Sequence, residues 1–382
     1  MTDTTARPND TARPKSTAFS RPKRRLANEI DFWRGVALVS IFINHIPGIV
    51  LEKITHRNIG LSDSAELFVF LAGFSLRFLA ESRTENLTPP RLFMRLEGRT
   101  FTLYAAHILT TVLALALLAG AALHYETPLI LTWHNAQTFF QDPIQSIVGI
   151  AALSYQLGYF DVLPLYIVLM GTAPFVVLLH RAAPNLLLPL SIAIWATTLA
   201  FGANLPTWPI EGRWFFNPFA WQLCFVTGFV IARPTGVGAW ARRNHFWLRW
   251  IGAAIVIAGF IVHWFDLRPD PFSVPQPYVF FVVEKTFLSP LRFLHLLGLV
   301  ALVAGIYLWF DKFRFFQPVA AFFALLGRNS LHVFCAGSIL SQAGQVTRFA
   351  APISVATDLL VVVVGVIVMA VVAWMNEWRK RL

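Results

Sequence analysis

The fold class the sequence predicts is an all-α polytopic membrane protein, a bundle of about ten transmembrane helices with both termini cytoplasmic. Three observations predict it. Of 382 residues, 56% are hydrophobic and only 13% charged, whereas a soluble domain carries about a quarter charged residues. The apolar residues come in long runs and not as helical stripes, and the mean hydropathy is +0.60; spanning helices need about 20 predominantly apolar residues. Third, the basic residues alternate in density from one connection to the next, as the positive-inside rule requires.

Residues 1–28, rich in Thr, Pro, Arg and Asn and without an apolar period, read as a disordered basic cytoplasmic tail. No short apolar core with a small-residue cleavage site follows its charges, so it is not read as a cleavable signal. Arg21, Lys23, Arg24 and Arg25 stand directly before the first span and are expected to hold it with the N-terminus inside. The remainder, 29–382, reads as one transmembrane domain with spans near 32–50, 64–81, 101–122, 162–180, 185–203, 217–232, 246–265, 290–310, 329–345 and 353–375. With that assignment only Lys53, Arg57, Arg213, Arg268, Lys285 and Arg348 of the 31 basic residues fall outside, and Arg34, Arg77 and Arg292 fall within spans. The even number of spans rests on that bias. The long outside connection, 123–161, has no Lys or Arg but many aromatics, which suggests short interfacial or re-entrant pieces. Segment 315–327 reads as an amphipathic helix on the inner surface.

The net charge of +11 is spread between hydrophobic segments, so membrane topology explains it and no nucleic-acid partner is expected. Cys224 and Cys335 lie in apolar segments and read as small buried residues, with neither a disulfide nor a metal site.

The first span carries Arg34, Asn44 and His45. Ionisable groups in a spanning helix are costly and usually face the bundle interior. Arg34 and His45 are eleven positions apart, three turns plus about 20°, so they share a face with roughly 16–17 Å between them. Plainer readings also exist: Arg34 reaching headgroups or pairing with Asp31, and His45 as a neutral, hydrogen-bonded imidazole. Pro47-Gly48 ends the helix just past His45, near the outer side, and Asn44 is placed to orient the imidazole or bind substrate. Asp63 and Glu66 fit a capping box at the start of the second span. His56 and Arg57 cap nothing and lie on the side of His45, placed to bind an anionic or sugar group. Arg91, Arg95 and Arg99, four apart, share one face; lipid phosphate or a nucleotide-bearing donor such as coenzyme A would suit their guanidinium forks. Arg292 and His295 form a second polar pair in an apolar context. Asn217, Trp221, Gln222, Asp161 and Tyr166 read as packing or caps.

Arg34, ten intervening residues and His45 resemble the arginine-to-histidine motif of the membrane acyltransferase-3 superfamily. The strings Ile30-Asp31-Phe32-Trp33-Arg34-Gly35, Ile43-Asn44-His45-Ile46-Pro47-Gly48 and Arg57-Asn58-Ile59-Gly60 are similar to those of its OpgC group, which modifies osmoregulated periplasmic glucans with succinyl groups. Leu163-Pro164-Leu165-Tyr166, Asn217-Pro218-Phe219-Ala220-Trp221-Gln222 and Pro290-Leu291-Arg292-Phe293-Leu294-His295 agree, so the resemblance runs from about residue 28 to 345. It implies an acyl-CoA co-substrate, succinyl-CoA first, no permanently bound cofactor, and a periplasmic glucan or related glycan as acceptor across a bacterial inner membrane. With the residue reading, it gives His45 and Asn44 catalytic roles and makes Arg34, Arg95 and Arg99 donor-binding. His56, Arg57, Glu66, Arg292 and His295 become acceptor- or acyl-binding. Membrane lipid and glucan-synthesis proteins are the implied partners. The chain departs from the pattern in lacking a serine directly before Gly73 and in a looser arginine motif around Arg95. The rival from another class is a transporter or flippase of a glycan or lipid-linked sugar, with the charges lining its path.

Overall fold

The structure, a computed structural model, describes residues 28–80, 87–267, 273–276, 278–280, 283–310 and 312–381. The tail up to residue 27 and Arg268 lie outside the described residues. The helices, in order, are α1 (Glu29–Asn44), α2 (Ser64–Ala80), α3 (Pro89–His124), α4 (Gln137–Gln141), α5 (Pro143–Ala151), α6 (Val162–Ala182), α7 (Leu187–Phe201) and α8 (Pro218–Ile231). There follow α9 (Gly236–Arg243), α10 (His245–Trp264), α11 (Pro290–Val303), α12 (Ile306–Phe310), α13 (Phe316–Arg328), α14 (Ser330–Ala350) and α15 (Val355–Arg379). The strand content among the described residues is one two-residue antiparallel pair, Pro206–Thr207 with Gly212–Arg213.

Each of the ten predicted stretches coincides with a helix. Among the described residues four helices, α3, α6, α10 and α15, are long and apolar enough to cross a membrane; the total is six if the bent pairs α8–α9 (71°) and α13–α14 (91°) each count as one span. α7 and α11 are apolar but shorter. The outward face of α15 presents Leu360, Val363, Val364 and Ile367 to the surroundings, an apolar belt that water would not tolerate at this extent.

Boundaries move for local reasons. α1 stops at Asn44 because Pro47 and Gly48 (φ +75°) turn the chain. α3 begins a dozen residues before the predicted span: Pro89 and Pro90 occupy its first turn, where a missing N–H costs nothing, and the arginine face continues the helix. The predicted span 290–310 breaks after Val303, where Gly305 takes φ +81°.

The core is built by backbone contact. A Cβ at Gly35 of α1 would collide with the Phe323 carbonyl of α13, and one at Gly327 of α13 with the Asp31 carbonyl of α1. The same reciprocity joins α2 and α8: Gly73 faces the Phe225 carbonyl, and Gly228 the Phe70 carbonyl. Small residues that let helix backbones touch are the usual means of packing within lipid. Segment 315–327 therefore forms the expected helix, with its buried side against α1. The 123–161 connection forms short pieces, α4, α5 and a kinked 3-10 turn at Pro128–Asn135, closed over Ile130, Ile150, Tyr155 and Phe160.

Candidate active site

The end of α1 is fastened from two other helices. Arg348 of α14 donates Nη2 to the Gly48 carbonyl (3.1 Å), Asp358 of α15 accepts the Val50 N–H (2.8 Å), and Arg348 and Asp358 pair with each other. His45 is the first residue past the helix, its N–H still bonded to the Ile41 carbonyl (3.0 Å). A cavity of about 710 Å³ opens here, lined among others by Asn44, His45, Arg57, Asp63, Lys285 and Arg292.

Within it, the His45 carbonyl accepts from Gln345 Nε2 (2.5 Å), and its ring packs on Tyr159 (centroids 4.7 Å apart). His45 Nδ1 is buried without a hydrogen-bond partner among the described residues, so Nε2 is the nitrogen through which the ring can act. Asn44 does not bond the imidazole. Its side-chain amide meets the Thr55 hydroxyl at 2.6 Å, and that hydroxyl also lies 2.7 Å from the Glu52 carbonyl.

The start of α2 forms the opposite wall. Asp63 Oδ1 accepts the Ala65 N–H (2.7 Å) and Glu66 Oε2 accepts the Asp63 N–H (3.0 Å), the capping box read from the sequence. The remaining oxygens hold cations: Lys285 Nζ lies 2.6 Å from Asp63 Oδ2, and Arg292 Nε 2.7 Å from Glu66 Oε1. Burial would raise the Asp63 carboxyl, but Lys285 and Arg292 outweigh it and hold it well below the usual carboxylate range. Lys285 is placed by its carbonyl, which accepts from Trp221 Nε1 of α8 (3.0 Å), and its ammonium lies over the Phe216 ring.

The 123–161 connection supplies the third wall with His134, Tyr159 and Asp161. His134, Asn135 and Tyr159 have φ of 57°, 66° and 68°, a left-handed conformation that non-glycine residues adopt at a cost and that clusters at functional sites. Hydrogen bonds fix it: Gly158 N–H to the His134 carbonyl (3.0 Å) and the Tyr155 hydroxyl to the Asn135 carbonyl (2.6 Å). Burial pushes the Asp161 carboxyl up to about 6, against the pull of Lys285.

His56, Glu66 and His295 are not among the lining residues. His295 Nδ1 lies 2.7 Å from Ser62 Oγ, which is also 3.3 Å from His56 Nε2. Burial lowers His56 to about 4, so that ring is neutral near pH 7. These groups brace the wall formed by Ser62 and Asp63.

At the other end of α1 lies a second cavity of about 720 Å³, lined by Arg34, Arg95, Arg99 and Arg328 with Asp31 and Ser75. The sequence placed the first three together; Arg328 was not foreseen there, and Arg91 is not among its lining residues. Arg34 donates to the Leu71 carbonyl (3.2 Å) and to the Ser75 hydroxyl, with Asp31 Oδ1 3.9 Å away. Ser75, two positions after Gly73, thus supplies a hydroxyl in the region where the expected serine is missing. Phe68 and Tyr166 also line this cavity; Phe68 stacks on Phe334 (6.1 Å). Deeper by eight residues than Arg99 and Ser330, roughly 12 Å along each helix, stand His107 of α3 and Ser338 of α14. Both have buried polar atoms without a partner among the described residues, as do Thr111 and Gln342.

Sequence reasoning missed His134, Tyr159, Lys285 and Gln345 as parts of the site. All but Gln345 come from connections, where no periodicity marks a functional face, and the left-handed backbone of His134 and Tyr159 has no signal in non-glycine residues. Cys224 is buried and Cys335 half-buried; both are free thiols. The family described as OpgC protein matches residues 25–381, nearly the whole chain. No curated protein and no solved structure matches it.

Proposed function

The chain belongs to the OpgC protein family, and from that premise we propose that it is an O-acyltransferase of the bacterial inner membrane. In this reading it crosses about ten times and moves a succinyl group from cytoplasmic succinyl-CoA to a hydroxyl of a periplasmic glucan or related glycan. The observation that carries the reading is the pair of cavities at opposite ends of α1. One is lined by four guanidinium groups; the other is lined by an imidazole whose Nδ1 has no hydrogen-bond partner among the described residues.

Arg34, Arg95, Arg99 and Arg328 suit the phosphates of a nucleotide donor, whose oxygens match guanidinium forks. A donor anchored there has roughly 16–17 Å to cover before its thioester reaches His45. Its reactive end therefore sits on a long flexible arm, as in coenzyme A. At the other end, His45 Nε2 takes the proton of a glycan hydroxyl as the oxygen attacks the thioester carbonyl. Asn44, which lines the same cavity and is held by Thr55, is the residue assigned to stabilise the tetrahedral oxyanion. Collapse breaks the carbon–sulfur bond, and the imidazolium returns the same proton to the leaving thiolate, so none is gained or lost. Arg57, exposed at the rim of the cavity, suits the free carboxylate of a succinyl group. Arg292 and Lys285, paired with Glu66 and Asp63, form the ion-paired wall of the acceptor side.

Purified protein given labelled succinyl-CoA and glucan is expected to form the ester in detergent. His45→Ala should lower the rate by about 10²–10⁴-fold without loss of helical content by circular dichroism. A glycan transporter forms no ester under these conditions, and full activity in a folded His45→Ala variant would overturn the role of the imidazole.

A further inference from the structure

His134 lies beside His45 and is held by the same side chain. Gln345 Nε2 donates to the His45 carbonyl (2.5 Å), and a carbonyl can only accept, so the orientation of the Gln345 amide is fixed. Its Oε1 therefore faces His134 Nε2 at 2.6 Å, and that nitrogen must carry a proton. The other nitrogen, Nδ1, is then a lone-pair acceptor on a residue that lines the cavity. Burial lowers the His134 imidazole, with the Gln345 bond opposing, which keeps the ring neutral and the lone pair available near pH 7.

The rings of His45 and His134 lie 4.7 and 5.0 Å from the ring of Tyr159, so their centres are at most about 10 Å apart. Both residues line the same cavity of about 710 Å³, and with a hydrogen bond of about 2.8 Å at each end that separation is within the reach of two hydroxyls on one sugar unit. The backbone at His134 and Tyr159 is held in the left-handed conformation to make this arrangement, and Gly158 gives the space: a Cβ there would meet His134 Cα at 3.3 Å.

We propose that His134 is an acceptor-binding residue whose Nδ1 takes a hydrogen bond from a second hydroxyl of the same sugar unit that His45 deprotonates. The inference rests on the acyltransferase reading and adds a selection rule. The acceptor is a polyhydroxyl unit read at two points, and a simple alcohol is a poor substitute. Gln345 is the positioning residue that sets the His134 tautomer.

The test uses purified full-length protein, succinyl-CoA, and methyl glucoside with its set of singly deoxygenated analogues. In the wild type, loss of one hydroxyl other than the attacked one should raise KM about tenfold, the size of one hydrogen bond to a site left unpaired. His134→Ala should raise KM for the parent glucoside by a similar factor, with a smaller change in kcat, and should no longer distinguish parent from that analogue. His134→Asn should restore the discrimination, because Asn accepts a left-handed backbone and its Oδ1 replaces Nδ1. Wild-type transfer with every non-attacked hydroxyl dispensable, or a His134→Ala variant that discriminates as the wild type does, overturns this inference alone. No transfer to any saccharide by the wild type overturns the acyltransferase reading and the inference with it.

Discussion

Asp161 is a residue whose ionisation burial shifts within reach of a stability measurement. Its carboxyl lines the His45 cavity, and burial raises it from 3.8 to about 6. Between those values the folded chain keeps a proton that the unfolded chain has released, so this group's contribution to stability falls as pH rises from about 4 through 6. Asp161→Asn removes the dependence. Its melting temperature relative to wild type should therefore be higher at pH 7.5 than at pH 4, and a difference that does not change with pH would contradict the assignment. At this scale the sequence was informative where a residue had a spacing: Arg34 and His45 read from a helical period, Asp63 and Glu66 from a cap. Asn44 was legible as a site residue but not in its task, because only the structure shows Thr55 and not His45 as its partner. Lys285, His134 and Tyr159 were not legible, since each reaches the cavity from a connection far away in sequence.

At the scale of elements, α1 is held between backbones. Gly35 and Gly327 bring α1 and α13 into contact, and a methyl group at either position meets a main-chain carbonyl that has nowhere to go. Gly327→Ala should lower stability by about 1–3 kcal/mol, as overpacking does, measured by thermal unfolding in detergent; an unchanged melting temperature would mean the two helices separate freely. The contact explains why segment 315–327 is amphipathic: one side is buried on α1, a partner that periodicity reveals as a face without naming. α3 shows the reverse case. Its arginine face was legible from the four-residue spacing, yet its helix extends twelve residues further than an apolar window finds. Arg99→Gln should raise KM for the acyl-CoA donor by about ten- to a hundredfold, the range for a charge-assisted bond, and leave KM for the glucan acceptor nearly unchanged. Equal effects on both substrates would remove Arg99 from the donor side.

For the molecule as a whole, each of the ten apolar stretches read from hydropathy holds a helix, while the bundle decided their lengths and bends. α1 and α2, with 16 and 17 residues, are shorter than a full span because their ends are packed in protein, where irregular backbone is tolerated. The result is one helix with a cationic cavity at its first residues and a cavity holding an imidazole at its last. The central claim is that these ends serve two substrates on opposite faces of a membrane. Proteoliposomes with the protein in one orientation, loaded with glucan inside or outside and given succinyl-CoA on a chosen side, measure this directly. Ester is expected only when donor and glucan are on opposite sides, with the donor on the side of Arg34. Ester formed only when both are on the same side would contradict it.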